Sequence, residues 1–301
     1  MPTDFYFSVS CTGAPTLGQW QEVVRSAEGC GYDSLLVTDH LHQDLAPLPA
    51  LVAAAACTRT LRLGTFVLCQ DLRNPAVLAR ELATVDVLTE GRLDIGIGAG
   101  WLDTDYTSAG LAFESGPVRF ERFTETVEVL LGSVADPAFT FTGKHHRVGK
   151  VDGGARCIQS PRPPVLIGAS RPKMLALAAS RADIVNITAS TREHFAPASL
   201  DDKLKLVKDA AGERYARLRL GHVVWECLVT PRPDAVIGSF AGALGCTPEE
   251  LVKNPAILIG SPEQLVEQLH ERRELWNLTH VTIPQTSMAS FASVIALIKK
   301  R

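Results

Sequence analysis

Eight short apolar runs, each followed by a turn and a segment of helical periodicity, recur along this chain of 301 residues. Several of these runs are nearly continuous rather than alternating, which is typical of strands buried on both faces of a parallel sheet. The runs begin at Phe5, Ser34, Leu61, Arg92, Pro164, Asp183, His222 and His280. Eight strands that alternate with helices predict a (β/α)8 TIM barrel. A doubly wound sheet is the alternative, for which fewer strands are expected.

Two segments between the runs carry signals for the start of a helix. Asn74 precedes Pro75, which is the usual pairing of an N-cap residue with a first-turn proline. Ser261 stands three residues before Gln264, which is the spacing of a capping box. Both pairs predict that a helix begins at the proline that follows the cap.

Three stretches interrupt the alternation of predicted strands and helices. Residues 133–163 contain FTFTGKHHRVGK and are predicted to form an inserted hairpin or loop, in which the basic residues 144–147 are solvated. Residues 188–200 and 230–260 are predicted to be irregular. On a barrel, insertions of this kind are usually loops around the active site.

Composition and charge exclude several classes of protein. The chain has 30 basic and 33 acidic residues, so its net charge of −3 gives no basic excess for a nucleic-acid partner. It has no apolar window of about 18 residues for a membrane span, and its first residues do not resemble a secretory signal. Seven cysteines without a CxxC pair indicate free thiols in a reducing compartment. We expect a cytoplasmic protein, with one domain over residues 1–301, that acts on a small molecule.

The TDHLH segment is the first candidate for chemistry. Asp39 and His40 follow the second strand, and catalytic groups in a barrel come from the carboxyl ends of strands. A histidine beside a carboxylate can act as an acid or base near neutral pH. For an isolated pair, the alternative of a loop histidine without a catalytic role is favoured. His40 and His42 offer no third ligand for a metal ion, so no metal site is predicted.

The segment GIGAGW, which begins at Gly96, resembles a dinucleotide fingerprint but has Trp101 in place of its third glycine. Gly98 and Gly100, at the end of a buried strand, are predicted to let a flat ligand approach the backbone. Trp101 would stack on that ligand or form a wall of its pocket. A tightly packed barrel interior is the alternative explanation of the small residues.

The segment VLIGASRPKM is a candidate phosphate site. A strand ends near Gly168, and a helix begins near Arg171 and Pro172. Free N–H groups and the helix dipole suit a phosphate there, and Arg171 or Lys173 would add charge. An ordinary glycine turn is the alternative. Three such segments at three strand ends would converge on one barrel mouth, which favours a flavin-like cofactor.

These segments together resemble a known family. TDHL, LGTFVL…RNPAVLARELATVDVLTEGRLDIGIGAGW and PRPPVLIGAS are similar to the bacterial luciferase-like oxidoreductases, and most to the branch that uses the deazaflavin coenzyme F420. The resemblance covers nearly the whole chain. It implies a (β/α)8 barrel that holds the tricyclic ring in its mouth, and a homodimer.

The resemblance also implies roles for individual residues. His40 matches a histidine beside the ring, and Asp39 matches an acid that contacts the cofactor. A cis peptide bond is implied between Phe66 and Val67, and Cys69 matches a residue near the ring. The remaining matched positions are Gly98, Ala99 and Gly100 beside the cofactor, and Gly168, Ala169, Ser170, Arg171 and Met174 at the phosphate turn. Some deazaflavin dehydrogenases have a glutamate proton donor where this chain has Trp101.

The implied activity is hydride transfer between reduced deazaflavin and a small organic substrate, with reduction of a C=C or C=N bond as the first expectation. The hydride chemistry would belong to the cofactor, and the protein would position the substrate and supply a proton. A monooxygenase that depends on FMN is the alternative. A barrel that binds cofactor without catalysis is a second alternative.

Overall fold

The computed structural model describes residues 4–136, 138–151, 153–188 and 197–300. The strands are β1 (Tyr6–Cys11), β2 (Ser34–Val37), β3 (Arg62–Thr65), β4 (Leu68–Cys69), β5 (Leu93–Gly98), β6 (Phe141–Thr142), β7 (Arg147–Val148), β8 (Val165–Ala169), β9 (Ile184–Ile187), β10 (Arg219–Val223), β11 (Glu226–Val229), β12 (Ile257–Gly260) and β13 (Leu278–Pro284).

The helices that follow these strands are mostly short. They are α1 (Leu17–Gly29), α2 (Pro47–Ala55), α3 (Pro75–Leu88), α4 (Asp103–Ser108), α5 (Gly116–Ala135), α6 (Pro172–Arg181), α7 (Pro197–Ala211), α8 (Pro233–Leu244), α9 (Pro248–Lys253), α10 (Pro262–Trp276) and α11 (Met288–Lys299). Within the described part of the chain, no helix is long and apolar enough to cross a bilayer.

Among the described residues, nine strands form one sheet in the order β3-β2-β1-β13-β10-β9-β8-β5-β4. β3 also pairs with β5, so the sheet closes on itself. β3 and β4 are two halves of one interrupted strand, because both pair with β5 and only two residues separate them. The fold is therefore an eight-stranded parallel (β/α)8 barrel, and the predicted fold class is confirmed.

Contacts divide the chain into two compact units. The first unit comprises Met1–Cys11, Ser26–Leu35 and Ala169–Arg301, and the second comprises Thr12–Arg25 and Leu36–Gly168. In the first unit, β13 pairs in parallel with β1 and β10, and β10 pairs with β9. Phe7 of β1 packs against Phe291 of α11, with 5.7 Å between the ring centroids. The expectation of a single domain stays a prediction.

In the second unit, β5 is the central strand. It pairs in parallel with β3, β4 and β8, and all six of its residues are buried. Asn74 caps α3 as predicted, because its side chain accepts the N–H groups of Ala76 and Val77. The predicted capping box in the first unit is also confirmed, since Ser261 and Gln264 bond reciprocally at the start of α10.

Two predictions about the second half of the chain were wrong. The apolar run from His222 is not one strand: it contributes to β10 in the barrel and to β11, which pairs with β12 in a separate two-stranded sheet. Residues 230–260 are not irregular, because α8, α9 and β12 enclose a small apolar core. Of residues 188–200, positions 189–196 lie outside the described residues, and α7 begins at Pro197.

The predicted insertion at 133–163 contains a hairpin, in which β6 pairs antiparallel with β7. Lys144 and Arg147 are exposed, as predicted, whereas His145 and His146 are half-buried. The Glu125 carboxylate accepts the backbone N–H groups of Lys144, His145 and His146 at 2.8–2.9 Å. Burial raises the pKa of Glu125, but these N–H groups outweigh it and the net shift is downward. Glu121 binds the Lys144 ammonium at 2.8 Å, so two carboxylates of α5 hold the hairpin.

Candidate active site

The ends of β4, β5 and β8 lie side by side in the second unit. Cys69 of β4 is in register with Gly98 of β5. Ile97 of β5 is in register with Ile167 of β8, which places the residues that follow them, Gly98 and Gly168, beside each other. The backbone N–H of Cys69 donates to Asp39 Oδ2 at 2.9 Å. The prediction that Asp39, Cys69, Gly98 and Gly168 share one rim is therefore confirmed.

Asp39 is buried, with 6% of its surface exposed, and both of its carboxylate oxygens are bound. Arg73 donates to Oδ2 at 2.6 Å and to Oδ1 at 2.9 Å, in addition to the Cys69 N–H. A carboxylate engaged by a bidentate guanidinium is a positioning group rather than a free acid. A catalytic role for Asp39 stays a prediction, and Arg73, 34 residues further along the chain, had no local signal as its partner.

His40 is oriented by a buried carboxylate. Its Nδ1 lies 2.7 Å from Asp105 Oδ2, and Asp105 Oδ1 accepts the N–H of Leu41 at 3.0 Å. The His42 ring stacks on His40 and the Trp101 ring meets it edge-on, at centroid distances of 5.4 and 5.7 Å. Within the described residues, His40 Nε2 has no hydrogen-bond partner, and no group of three His, Cys, Asp or Glu residues could hold a metal ion.

A chain of hydrogen bonds runs from the Cys69 thiol. Its Sγ donates to the hydroxyl of Tyr106 at 3.6 Å, and that hydroxyl donates to Asp71 Oδ2 at 2.7 Å. Arg122 then joins Asp71 to Glu114. Burial raises the pKa of the Cys69 thiol and is also the largest cause of the raised pKa of Tyr106. Both groups are therefore neutral near pH 7, and the chain positions a thiol rather than a thiolate.

The glycines at the end of β5 are in close contact with the surrounding protein. A Cβ atom on Gly98 would meet Val67 Cγ2 at 2.8 Å. One on Gly100 would overlap the Tyr106 hydroxyl, and Gly100 also has a φ of +74°. Packing therefore gives one reason for these two glycines, and their role beside a ligand stays a prediction.

Partly exposed apolar groups surround these strand ends. The peptide bond between Phe66 and Val67 is cis, as the resemblance implied. Phe66, Val67 and Ala99 are half-buried, and Trp101 is 71% exposed. Apolar side chains beside a histidine with an available ring nitrogen fit a flat organic ring.

The turn after β8 presents cations. Gly168 is the last residue of the second unit, and Ala169 begins the first. In the first unit, Arg171 is the N-cap of α6 without a side-chain cap bond, Arg171 and Lys173 are exposed, and Ser170 and Met174 are half-buried. Burial, and then Arg171, lower the pKa of the Lys203 ammonium. Lys203 thus adds a third cation near this turn, and no local pattern in the chain pointed to it.

These groups lie at the carboxyl ends of the strands of a closed parallel barrel. Barrel enzymes of the (β/α)8 class have their active sites at these strand ends. The family model described as luciferase-like monooxygenase matches residues 6–222. The chain therefore belongs to the luciferase-like monooxygenase family, and the resemblance found in its motifs is confirmed.

Two curated relatives are named for coenzyme F420 or a related reduction. The F420-dependent glucose-6-phosphate dehydrogenase of Beutenbergia cavernae is 36% identical over 128 residues, 40% of this chain and 38% of the relative. The 5,10-methylenetetrahydromethanopterin reductase of Archaeoglobus fulgidus is 33% identical over 172 residues, 57% of this chain and 49% of the relative. The chain thus spans less than half the length of either protein.

Solved structures share the fold at low identity. The coenzyme F420-dependent tetrahydromethanopterin reductase of Methanopyrus kandleri superposes with a TM-score of 0.79 at 19% identity, covering 98% of this chain and 99% of that one. The EDTA monooxygenase of Chelativorans sp. BNC1 superposes with a TM-score of 0.80 at 13% identity, covering 99% and 94%. The fold is therefore common to deazaflavin enzymes and monooxygenases.

Proposed function

We propose that this protein is a coenzyme F420-dependent oxidoreductase that transfers a hydride between reduced deazaflavin and a small organic substrate. Reduction of a C=C or C=N bond is the proposed reaction. The observation that carries the proposal is the His40–Asp105 pair, which lies next to an exposed apolar surface at the barrel rim. The names of the curated relatives support F420 as the cofactor.

His40 supplies the proton in this proposal. Asp105 holds Nδ1, so the imidazole keeps one orientation and Nε2 is the atom that gives or takes the proton. Trp101 and His42 flank the ring and limit its rotation. Asp39 and Arg73 hold the segment that contains Cys69, which keeps the neighbouring rim in place.

The residues present fit a deazaflavin. Phe66, Val67, Ala99 and Trp101 would contact its ring, because they combine apolar character with partial exposure. In the first unit, the cations at the turn after β8, namely Arg171, Lys173 and Lys203, suit an anionic group such as the phosphodiester of a deazaflavin. When bound in its reduced form, the cofactor supplies the hydride.

An FMN-dependent monooxygenase is the second candidate, favoured by the family description and by the EDTA monooxygenase fold. Fluorescence titration of the purified protein with F420 and with FMN, in matched salt, separates the two candidates. We expect F420 to bind more tightly. Tighter binding of FMN by tenfold, about 1.4 kcal/mol, would favour the monooxygenase.

Turnover then tests catalysis. Reduced F420 is mixed anaerobically with a panel of enones, enoates and imines, and its oxidation is followed by absorbance. We expect oxidation that depends on substrate and on His40. Tight binding of F420 without turnover on any member of the panel would favour a barrel that only binds cofactor.

A further inference from the structure

Arg119 presents an unused hydrogen-bonding edge near the candidate active site. Its guanidinium carbon lies 4.0 Å from the centroid of the Phe113 ring, and its Nη1 donates to the carbonyl oxygen of Glu114. Nε is buried without a partner, and Nη2 makes no hydrogen bond to any described residue. The Nε–Nη2 edge is the one that binds carboxylates and phosphates side-on, through two parallel hydrogen bonds.

The carboxylates around Arg119 are already engaged. Glu114 and Asp71 both pair with Arg122, and Asp105 pairs with His40. None of the described carboxylates lies within 4.0 Å of the Arg119 guanidinium. The amide of Gln70, which is 3% exposed, fixes this segment by donating to the Arg119 carbonyl at 2.8 Å, and its own Oε1 has no partner. Buried polar atoms rarely stay unpaired in folded proteins.

Apolar side chains lie in the segments around both Arg119 and His40. Phe113, 42% exposed, packs against Tyr106 at 4.9 Å, and Tyr106 follows Asp105 in α4. Exposed apolar side chains precede and follow α4, namely Trp101, Leu111 and Phe113, and exposed Leu41 lies in the loop that binds Asp105 of α4. An exposed apolar patch of this kind marks a ligand surface when polar anchors stand at its edge.

We infer that Arg119 is the specificity-determining residue for substrates that combine an apolar body with a carboxylate or other oxyanion. The oxyanion would accept from Nε and Nη2, while the apolar body would lie against the patch toward His40. This inference rests on the proposed function, since it names the substrate class of the same site.

Binding without cofactor tests the inference directly. The probes are cinnamate and its neutral isostere cinnamamide, which share an apolar body and a conjugated C=C bond and differ in charge. Isothermal titration at fixed ionic strength should show cinnamate binding at least tenfold more tightly than the amide. Arg119→Gln should reduce this preference to less than twofold, and Arg119→Lys, which keeps charge but loses the planar edge, should give an intermediate value.

Arg80→Gln is the matched control, because Arg80 is exposed on α3 of the same unit. It should keep the wild-type preference. Equal binding of the two probes by the wild type, or no binding of either, overturns the inference even if Arg119→Gln fails to fold. A preference that persists in Arg119→Gln overturns it as well.

A second titration, with cofactor, tests whether Arg119 binds the cofactor phosphate instead of a substrate oxyanion. F420 and a phosphate-free deazaflavin riboside are titrated into the wild type and Arg119→Gln. If the substitution weakens F420 alone and leaves cinnamate binding unchanged, Arg119 serves the cofactor phosphate and the substrate assignment is wrong. Because the cinnamate titration contains no cofactor, absence of hydride transfer in every variant would count against the proposed function only.

Discussion

Asp39 and Arg73 form a bidentate ion pair in which Arg73 Nη1 and Nη2 lie 2.6 and 2.9 Å from the two oxygens of the carboxylate. The Asp39 side chain is 5% exposed and that of Arg73 is 22% exposed, so water screens the pair only in part. The same carboxylate accepts the backbone N–H of Cys69. The pair therefore ties the residue before His40 to the rim segment that carries Cys69.

Asp39→Asn is predicted to destabilise the fold while preserving most of its shape. The amide oxygen still accepts the Cys69 N–H, but Arg73 loses its counter-ion, which for a largely buried pair costs roughly 3 kcal/mol. Urea unfolding at pH 7 measures the loss. Asp103→Asn, at an exposed position in the first turn of α4, is the control and should cost less than about 1 kcal/mol. Equal losses in the two variants would contradict a structural role for Asp39.

His40→Ala is predicted to lower kcat by about 10²-fold, which is the usual scale for loss of a general acid or base. Asp105→Asn should lower kcat at least about tenfold with little change in KM, because it removes the charge that orients the imidazole. Steady-state kinetics with reduced F420 and a substrate from the panel measure both effects. His145→Ala removes an imidazole that binds Glu121 on the hairpin, and its kcat should stay near that of the wild type. A comparable loss in His145→Ala would contradict the special role of His40.

The barrel could be predicted from the sequence because the evidence for each strand and helix lies within a short segment of the chain. Each buried run and each cap, such as Asn74 or Ser261, is visible within a few residues of the chain. The partners at the site are not local: Arg73 lies 34 residues from Asp39, and Asp105 lies 65 residues from His40. No pattern within a short window could have paired them.

Two features of the chain depend on distant segments. Gly100 is required because the Tyr106 hydroxyl fills the space of its missing Cβ after the chain returns through α4. The run from His222 looked like a single strand, whereas a break after Val223 sends its second half into another sheet. In both cases the outcome depends on which distant segment packs there, and propensity does not encode that choice.

Gly100→Ala is predicted to destabilise the protein more than its positive φ alone explains. The added Cβ overlaps the Tyr106 hydroxyl and approaches Cys69 Sγ at 2.9 Å. Gly110→Ala is the matched control, because Gly110 has nearly the same φ, +71°, and open space around its Cβ. The control should cost about 1 kcal/mol, and Gly100→Ala should exceed it by about 1–3 kcal/mol.

Removal of the Tyr106 hydroxyl tests the contact with a Cβ atom at position 100 in a second way. Tyr106→Phe combined with Gly100→Ala should be less destabilising than the sum of the single changes, because the two sites share one contact. Thermal unfolding of the four proteins completes the cycle. Additive losses would mean that Tyr106 does not restrict the backbone at Gly100.

Acidification is predicted to weaken the fold through His280. This imidazole is buried in β13, with Nε2 2.5 Å from Ser8 Oγ, and burial, followed by the charge of Arg219, lowers its pKa to about 3. In the unfolded chain its pKa is about 6.5. Below pH 6.5 the unfolded state therefore binds a proton that the folded state does not bind. The contribution of neutral His280 to stability is fully present above that pH and decreases as the pH falls toward 3. Between pH 7.5 and 5.0 the loss from His280 is about 2 kcal/mol.

Urea unfolding at pH 7.5 and 5.0 measures this contribution against two variants. His280→Gln should reduce the difference between the two pH values by about 2 kcal/mol, even though the substitution lowers stability at both. The part that remains is expected to come largely from His222, whose pKa burial lowers well below its usual value, since its proton uptake on unfolding has the same sign. Ser293→Ala, at an exposed position without an ionisable group, should leave the difference unchanged. An undiminished pH dependence in His280→Gln would show that His280 is not held neutral by its burial.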